Sequence, residues 1–345
     1  MIDAHVHLRD QGLASKETIA HGLAVAKRCG ITRVFDMPNT KPVLTTREAV
    51  LDRLSLAGES VKKTRVSYHI HMGLTKDPQQ IREAVATHAM LFPLVIGLKM
   101  FLGNSTGNMG IVTADEQRQV VKCLTENGYK GVLTVHAEKE ALMKNELFIK
   151  GKADTHTLAR PSEAETEAIK DIISIVKETG FEGTLHIAHI SARASVEEVV
   201  RAKREGVKVF MGATPHHALL SVEDAKDNPY LKVNPPLRSE ADREFIFQSL
   251  LDGTIDSCES DHAPHTLEDK DNGASGLPGF PGMALLLDRL RKAGASEERL
   301  ESLFGKSVLR EFALDDEDVL LPRDTLRRVK ASSGEYPFDP YKGKY

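Results

Sequence analysis

Ile2-Asp3-Ala4-His5-Val6-His7-Leu8 is an apolar run near the N-terminus with two histidines at alternate positions. Side chains of a β-strand point to opposite faces in turn, so His5 and His7 share one face of a predicted strand. Two imidazoles on one face can reach a single metal ion. The segment therefore predicts a first strand that carries a metal-binding pair, although two satisfied surface histidines would give the same motif.

Seven further β-rich runs follow along the chain, with helical patterns between them. The eight predicted strands are Ile2–Leu8, Thr32–Pro38, Arg65–Gly73, Leu94–Phe101, Gly131–Ala137, Gly183–Ile190, Val207–Thr214 and Thr254–Asp261. Eight strands that alternate with helices favour an α/β fold of the closed (β/α)8 TIM barrel type. An open, doubly wound sheet is the alternative that the pattern leaves open.

The intervening stretches have the apolar spacing of amphipathic helices. They are Lys16–Cys29, Arg47–Val61, Pro78–His88, Ala114–Asn127, Glu163–Thr179, Ala194–Glu205 and Glu240–Leu251. Hydroxyl residues predict helix caps: Thr46 before Arg47, Thr113 with Glu116 as a capping box, and Ser162 before Glu163.

The C-terminal part has a different organisation. Helical patterns near Met283–Ala293 and Glu297–Phe312 follow a Gly/Pro-rich loop. A polar stretch with three prolines then predicts a short extended tail. We expect residues 1–314 to form a catalytic metal-dependent barrel and residues 315–345 a tail packed on its outside.

Composition limits the possible partners. The 345 residues include 46 basic and 50 acidic side chains, interleaved along the chain, for a formal net charge of −4. No basic stripe indicates nucleic acid binding, and no apolar run is long enough to span a membrane. We expect a cytoplasmic protein, with Cys29, Cys123 and Cys258 as reduced structural thiols.

Chemistry-bearing side chains follow the predicted strands at their C-terminal ends, where barrel enzymes have their active sites. Lys99 lies within the apolar fourth strand, His136 ends the fifth, His189 ends the sixth and Asp261 ends the eighth. Each signal is weak alone, and Lys99 could be a rim residue that extends to solvent. Together with the histidine pair of strand one, they predict a metal centre with imidazole and carboxylate ligands, which suit Zn²⁺.

Several motifs resemble those of dihydroorotases, cyclic amidohydrolases of the amidohydrolase superfamily. The resemblance covers about residues 1–285 and rests on Asp3-Ala4-His5-Val6-His7-Leu8-Arg9-Asp10, Met37-Pro38-Asn39-Thr40, the His136 and His189 strands, Pro215-His216-His217, Val233-Asn234-Pro235-Pro236-Leu237-Arg238 and Ser260-Asp261-His262-Ala263-Pro264-His265. It implies the barrel and the reversible hydrolysis of dihydroorotate to N-carbamoyl-aspartate in pyrimidine biosynthesis.

The resemblance also implies a binuclear zinc centre. His5, His7 and Asp261 would bind the more buried ion, and His136 and His189 the second. Lys99 would bridge both ions as N6-carboxylysine, because CO2 turns its amine into a carboxylate that two cations stabilise. The two ions would activate a shared water as the nucleophile, with Asp261 as the general base and then acid.

Substrate contacts can be assigned in the same way. Arg9 lies two residues after His7 and can bind a carboxylate through two parallel hydrogen bonds. The resemblance adds Asn39 and His265 at the carboxylate and Asn234 at the ring amides, with main-chain groups near Pro278 and Gly279. His217 is a weaker candidate, since a loop histidine without a functional role would give the same sequence pattern. Two hydroxyl residues, Ser105 and Thr106, are candidates for a lid that closes over the substrate, and a plain connecting loop is the alternative.

Other activities stay open. Relatives that act on rings without a carboxylate generally lack an arginine at position 9, which favours dihydroorotate over allantoin or hydantoins. Many relatives carry a small β-sandwich, which we expect to be absent or vestigial here. A homodimer is expected, with another pyrimidine-pathway enzyme as a possible partner. An inactive, dihydroorotase-like partner subunit is the non-enzymatic alternative.

Overall fold

Eight parallel strands form the centre of the molecule in a computed structural model, which describes residues 1–104, 109–315 and 317–345. They run in the order β1 to β8, each paired with the next. A parallel bridge between Val6 and His262 joins the last strand back to the first and closes the barrel. The predicted TIM barrel is confirmed. Its strands are β1 (Ile2–Val6), β2 (Arg33–Asp36), β3 (Ser67–Gly73), β4 (Val95–Phe101), β5 (Val132–His136), β6 (Thr184–Ile187), β7 (Val209–Ala213) and β8 (Ser257–Cys258).

Helices cover the outside of the barrel and fill its connections. Within the described residues they are α1 (Ile19–Cys29), α2 (Arg47–Thr64), α3 (Pro78–Leu91), α4 (Ala114–Glu126), α5 (Thr155–Ala159), α6 (Ser162–Thr179), α7 (Arg193–Arg204), α8 (Pro215–Leu219), α9 (Val222–Asp227), α10 (Glu240–Asp252), α11 (Leu267–Asp271), α12 (Phe280–Lys292), α13 (Glu297–Glu301), α14 (Ser307–Glu311) and α15 (Thr325–Ser333). A π-helical turn, Ser302–Lys306, joins α13 to α14.

Capping explains where several helices begin. Thr46 accepts a hydrogen bond from the Ala49 amide, and Thr113 forms a complete capping box with Glu116. The prediction for Ser162 is wrong: α6 begins at Ser162 itself, with Pro161 in the cap position and no side-chain cap. A proline at that position leaves the first turn of the helix without a side-chain acceptor.

Short helices in the loops were not predicted, because five or six residues show too little periodicity. They are α5, α8, α9 and α11. The eighth strand is also shorter than predicted, with Ser257 and Cys258 as its only ladder residues. Residues after it leave the regular ladder to form the site.

Apolar side chains from the beginnings of the strands pack against α14. Ile2, Ile96 and Val132 form one cluster with Val308 and Phe312, all buried. This contact closes the N-terminal end of the barrel, so that polar residues concentrate at the opposite end. No described helix is both long and apolar enough to cross a membrane.

The C-terminal tail lies against the barrel helices. It is not wholly extended, because α15 packs on α12 and α1. Tyr336 donates a hydrogen bond to Glu17 Oε1 at 3.0 Å and is buried. The tail also buries apolar side chains, including Val329 and Tyr341, in a hydrophobic cluster. This burial holds the otherwise polar segment against the barrel. The division into domains at residue 314 stays a prediction.

Candidate active site and metal centre

Three of the predicted metal ligands meet where the barrel closes. His7 Nε2 lies 3.0 Å and His5 Nε2 3.6 Å from Asp261 Oδ1. One ligand atom from each of these residues lies within 4.8 Å of the others. The alternation of β1 places both histidines on the barrel side, and the turn after β8 brings in the carboxylate. This arrangement can hold one divalent ion.

A second pair of imidazoles lies beside the first group. His136 Nδ1 and His189 Nε2 are 3.1 Å apart, and the His5 and His189 rings are 5.0 Å apart. The other ring nitrogen of His136 faces Glu138 Oε2 at 2.8 Å, and Arg160 forms an ion pair with that carboxylate. Glu138 therefore fixes the ring so that Nδ1 faces His189.

Lys99 lies fully buried within β4, and its Nζ has no hydrogen-bond partner in the described part of the chain. Burial lowers the pKa of Lys99 to about 7. Burial also lowers the pKa of His5 and of His189 well below the usual range, and the nearby Lys99 charge contributes to both shifts. The Lys99 charge thus acts on an imidazole of each proposed ligand group. Its Nζ lies 5.2 Å from the centre of the Phe101 ring, and its place at the metal centre stays a prediction.

Two of the site residues have strained backbone conformations. His189 has φ 41° and Asp261 has φ 46°, in the left-handed region that residues other than glycine seldom adopt. Such a conformation costs about 1–3 kcal/mol and persists where surrounding contacts impose it. It aims both side chains into the barrel at the ends of β6 and β8.

The donor set fits a pair of divalent ions. Imidazoles and a carboxylate converge without any thiolate, a combination that suits Zn²⁺. The buried amine of Lys99 is costly without a partner, and conversion to a carboxylate that binds metal would remove that cost. The side chains present can therefore form the binuclear centre expected from the sequence.

A cleft opens to solvent above these residues. Its lining comprises His5, His7, Arg9, Asn39, Phe101, His136, His189, Asn234, Asp261, Ala263, Ser275 and Gly276. Three predicted substrate contacts, Arg9, Asn39 and Asn234, belong to this lining.

The side chains of these residues are held by their neighbours. Arg9 Nη2 lies 3.3 Å from His265 Nε2, and Arg9 Nε donates to the Pro264 carbonyl at 3.3 Å. Asn39 Oδ1 faces His7 Nδ1 at 2.8 Å, and Asn234 Oδ1 faces His156 Nε2 at 2.7 Å. Arg9 is 4% exposed, so its guanidinium is directed at the cleft and not at bulk solvent.

Other predicted contacts lie behind the cleft surface. His217 is buried, with Nδ1 2.8 Å from Thr214 Oγ1 and Nε2 3.1 Å from the Pro235 carbonyl, so it supports the segment that carries Asn234. The Gly279 amide donates to His262 Nδ1 at 3.1 Å, and neither Gly279 nor Pro278 lines the cleft. Direct substrate contact by these three residues stays a prediction.

The predicted lid residues, Ser105 and Thr106, lie outside the described part of the chain.

Several site residues were missed from the sequence. Phe101, Ser275 and Gly276 line the cleft without any motif to identify them. His186 is buried between two carboxylates, with Nε2 3.1 Å from Glu259 and Nδ1 2.6 Å from Glu311. Burial alone would lower the pKa of His186, but the two carboxylates raise it to about 10. The alternation of β6 was the available signal, since it puts His186 inside the barrel.

Relatives of known identity were found by sequence. A dihydroorotase of Halobacterium salinarum is 34% identical over 323 residues, covering 91% of this chain and 72% of the relative. A dihydroorotase of Thermococcus kodakarensis is 31% identical over 357 residues, covering 100% of this chain and 78% of the relative. No family model matches the chain.

Solved structures of cyclic-amide hydrolases share the fold. The L-hydantoinase (dihydropyrimidinase) from Arthrobacter aurescens aligns with a TM-score of 0.80 at 27% identity, over 90% of this chain and 70% of that one. The dihydroorotase of Saccharomyces cerevisiae in complex with 5-fluoroorotic acid has a TM-score of 0.74 at 19% identity, over 91% and 84% of the two chains, which supports the fold alone. Together, the sequence relatives and the site geometry establish that this chain belongs to the dihydroorotase family.

Proposed function

We propose that this protein catalyses the reversible hydrolysis of dihydroorotate to N-carbamoyl-aspartate. The observation that carries the proposal is the presence of Arg9 in the same cleft as the His5, His7 and Asp261 cluster. A metal-binding cluster alone fits many hydrolases. A buried guanidinium beside it fits a cyclic amide that also carries a carboxylate.

Two Zn²⁺ ions per chain belong to this proposal. His5, His7 and Asp261 would hold one ion, His136 and His189 the other, and Lys99 would bridge them as N6-carboxylysine. When bound, the ions would polarise the amide carbonyl and supply hydroxide at neutral pH. The close approach of the five ligand side chains and the unpartnered amine of Lys99 support the assignment.

Asp261 would move the proton in this reaction. Its carboxylate lies between two imidazoles and is 7% exposed, so it reaches the cleft while water is largely excluded around it. In the hydrolytic direction it would accept a proton from the attacking water and deliver it to the ring nitrogen that leaves. In ring closure the same carboxylate would act in reverse order.

Arg9 would hold the substrate by its carboxylate. Its guanidinium is already oriented by the Pro264 carbonyl and by His265, so little side-chain freedom is lost on binding. Asn39 lines the cleft nearby, and Asn234 does so on the segment that the His217 ring supports.

Hydrolysis of hydantoins or dihydropyrimidines is the second candidate, favoured by the structural similarity to the L-hydantoinase. Metal-loaded protein should be assayed with dihydroorotate, dihydrouracil, hydantoin and allantoin. We expect dihydroorotate to be the best substrate in kcat/KM. A higher kcat/KM for a ring without a carboxylate would contradict the proposal.

An inactive partner subunit is the non-enzymatic alternative, and metal content separates it from an enzyme. We expect about two zinc ions per chain, as the two ligand groups require. A homodimer and association with another pathway enzyme stay predictions, to be checked by sedimentation of the full chain alone and in mixtures.

A further inference from the structure

Glu259 is a buried carboxylate at the end of β8, two residues before Asp261, and it is 0% exposed. It accepts a hydrogen bond from the main-chain amide of His189 at 2.5 Å through Oε1. The same oxygen lies 3.9 Å from His5 Nδ1. Glu259 therefore contacts one residue from each of the two proposed ligand groups.

The two ring nitrogens of His5 have different surroundings. Its Nε2 faces Asp261, and its Nδ1 has no hydrogen-bond partner within the described ranges. Metal-bound histidines commonly donate their second ring N–H to a carboxylate, which fixes the tautomer and the ring orientation. When Nε2 binds an ion, the remaining ring proton of His5 is on Nδ1, which lies 3.9 Å from Glu259 Oε1.

The contact with His189 acts on the backbone. His189 adopts its left-handed conformation at the end of β6, where only a tertiary contact can compensate for the strain. The bond from its amide to Glu259 supplies that contact. Glu259 therefore sets the direction from which the His189 ring enters the site.

The surroundings keep the Glu259 carboxylate in one place. His186 Nε2 lies 3.1 Å from Oε2. On the opposite side is Gly212 of β7, where an added Cβ would lie 2.6–2.8 Å from the carboxylate atoms. The absence of a side chain at Gly212 makes room for the acid.

We propose that Glu259 is a positioning residue that aligns His5 and His189, and so couples the geometry of the two metal sites. The inference rests on the proposed metal-dependent function. It predicts that disturbing this one carboxylate weakens the binding of both ions, although Glu259 itself binds neither.

The test compares Glu259→Gln with Glu165→Gln in the full chain. Glu165 is also a buried acid. It accepts hydrogen bonds from the main-chain amides of Ser191 and Ala192, in the same β6–α7 connection that carries His189. It contacts none of the proposed ligands, so it serves as the matched control. Metal-free protein would be titrated with Co²⁺ against a competing chelator, and the absorption spectrum of bound Co²⁺ would be recorded at saturation. We expect Glu259→Gln to weaken Co²⁺ binding roughly tenfold to hundredfold and to alter the spectrum. Glu165→Gln should leave both readouts within about twofold of the wild type, on the same reasoning.

Gly212→Ala is the second variant, because it displaces the carboxylate without changing its chemistry. We expect the same direction of change in affinity and spectrum, and it carries the test if Glu259→Gln does not fold. Wild-type affinity in both Glu259→Gln and Gly212→Ala would overturn the inference. Equal losses in Glu165→Gln would overturn it too, since they would reflect general destabilisation. Failure of the wild-type protein to bind two Co²⁺ ions would instead contradict the proposed function.

Discussion

His7 Nε2 lies 3.0 Å from Asp261 Oδ1, across the seam where β1 meets the end of β8. The His7 amide also donates to the His262 carbonyl at 2.7 Å, next to Asp261 in the chain. Closure of the barrel and assembly of the first ligand group therefore depend on the same contacts.

Asp261→Asn removes the proposed proton acceptor while preserving the shape of the side chain. We expect turnover of dihydroorotate to fall roughly 10²–10⁴-fold, the range that general acid–base catalysis contributes. Circular dichroism and thermal unfolding would check that the barrel persists. A rate near that of the wild type would exclude Asp261 from proton transfer.

Arg9→Met removes the cation proposed to bind the substrate carboxylate. A charge-assisted hydrogen bond contributes about 1.5–3 kcal/mol, so we expect KM for dihydroorotate to rise roughly 10- to 100-fold with a smaller change in kcat. Dihydrouracil, which has no carboxylate, serves as the control substrate. A similar rise in KM for both rings would show that Arg9 acts on the cleft as a whole.

Lys99→Met separates two effects of the buried amine. In metal-free protein, the buried Nζ has no hydrogen-bond partner among the described residues, which destabilises the fold. We therefore expect the free energy of unfolding, measured in urea, to be about 1–3 kcal/mol higher in the variant than in the wild type. In metal-replete protein, the variant should lose metal and activity, because no carboxylate can form at this position. The wild type reconstituted with ¹³C-labelled bicarbonate should show a carbamate signal by NMR. Full metal content in Lys99→Met would contradict the bridging role.

His21 makes stability depend on pH. Its hydrogen bond to Glu17 raises the pKa of His21, with Glu335 adding to the effect. Other groups facing it are Tyr336, by ring contact, and His262, through Glu17. A raised pKa in the folded state stabilises the protein fully below the ordinary histidine pKa of 6.5, and this contribution is lost as pH rises through the folded-state value.

We therefore expect the loss of urea resistance as the pH rises above 6.5 to be smaller in His21→Gln than in the wild type. Parallel urea midpoints of the two proteins over this range would refute the assignment.

Tyr336→Phe and Tyr341→Phe form a matched pair in the C-terminal tail. The Tyr336 hydroxyl donates to Glu17 and lies 3.3 Å from His262 Nε2, whereas the buried Tyr341 hydroxyl has no partner among the described residues. Loss of a bonded hydroxyl leaves Glu17 short of a donor, so we expect Tyr336→Phe to cost about 1–3 kcal/mol in the free energy of unfolding. Tyr341→Phe should cost close to nothing. Equal losses in urea unfolding would mean that the tail contributes through packing alone.

Local patterns in the sequence predicted the fold and the candidate ligands. The eight strands could be found because each is an apolar run between helical patterns, and His5 and His7 share a face because side chains alternate along a strand. Lys99, His136, His189 and Asp261 were recognisable as polar residues at strand positions that barrels direct toward their active end. The resemblance then supplied the role of each residue.

Only the tertiary structure revealed that Glu259 lies beside both His5 and His189. It also revealed that Ser275 and Gly276 line the cleft. It likewise brought Tyr336 of the tail against Glu17. These contacts join segments far apart in the chain, so their distances follow from barrel closure and helix packing. Periodicity reports which face a side chain occupies, whereas the residue it meets across the barrel depends on how all eight strands close.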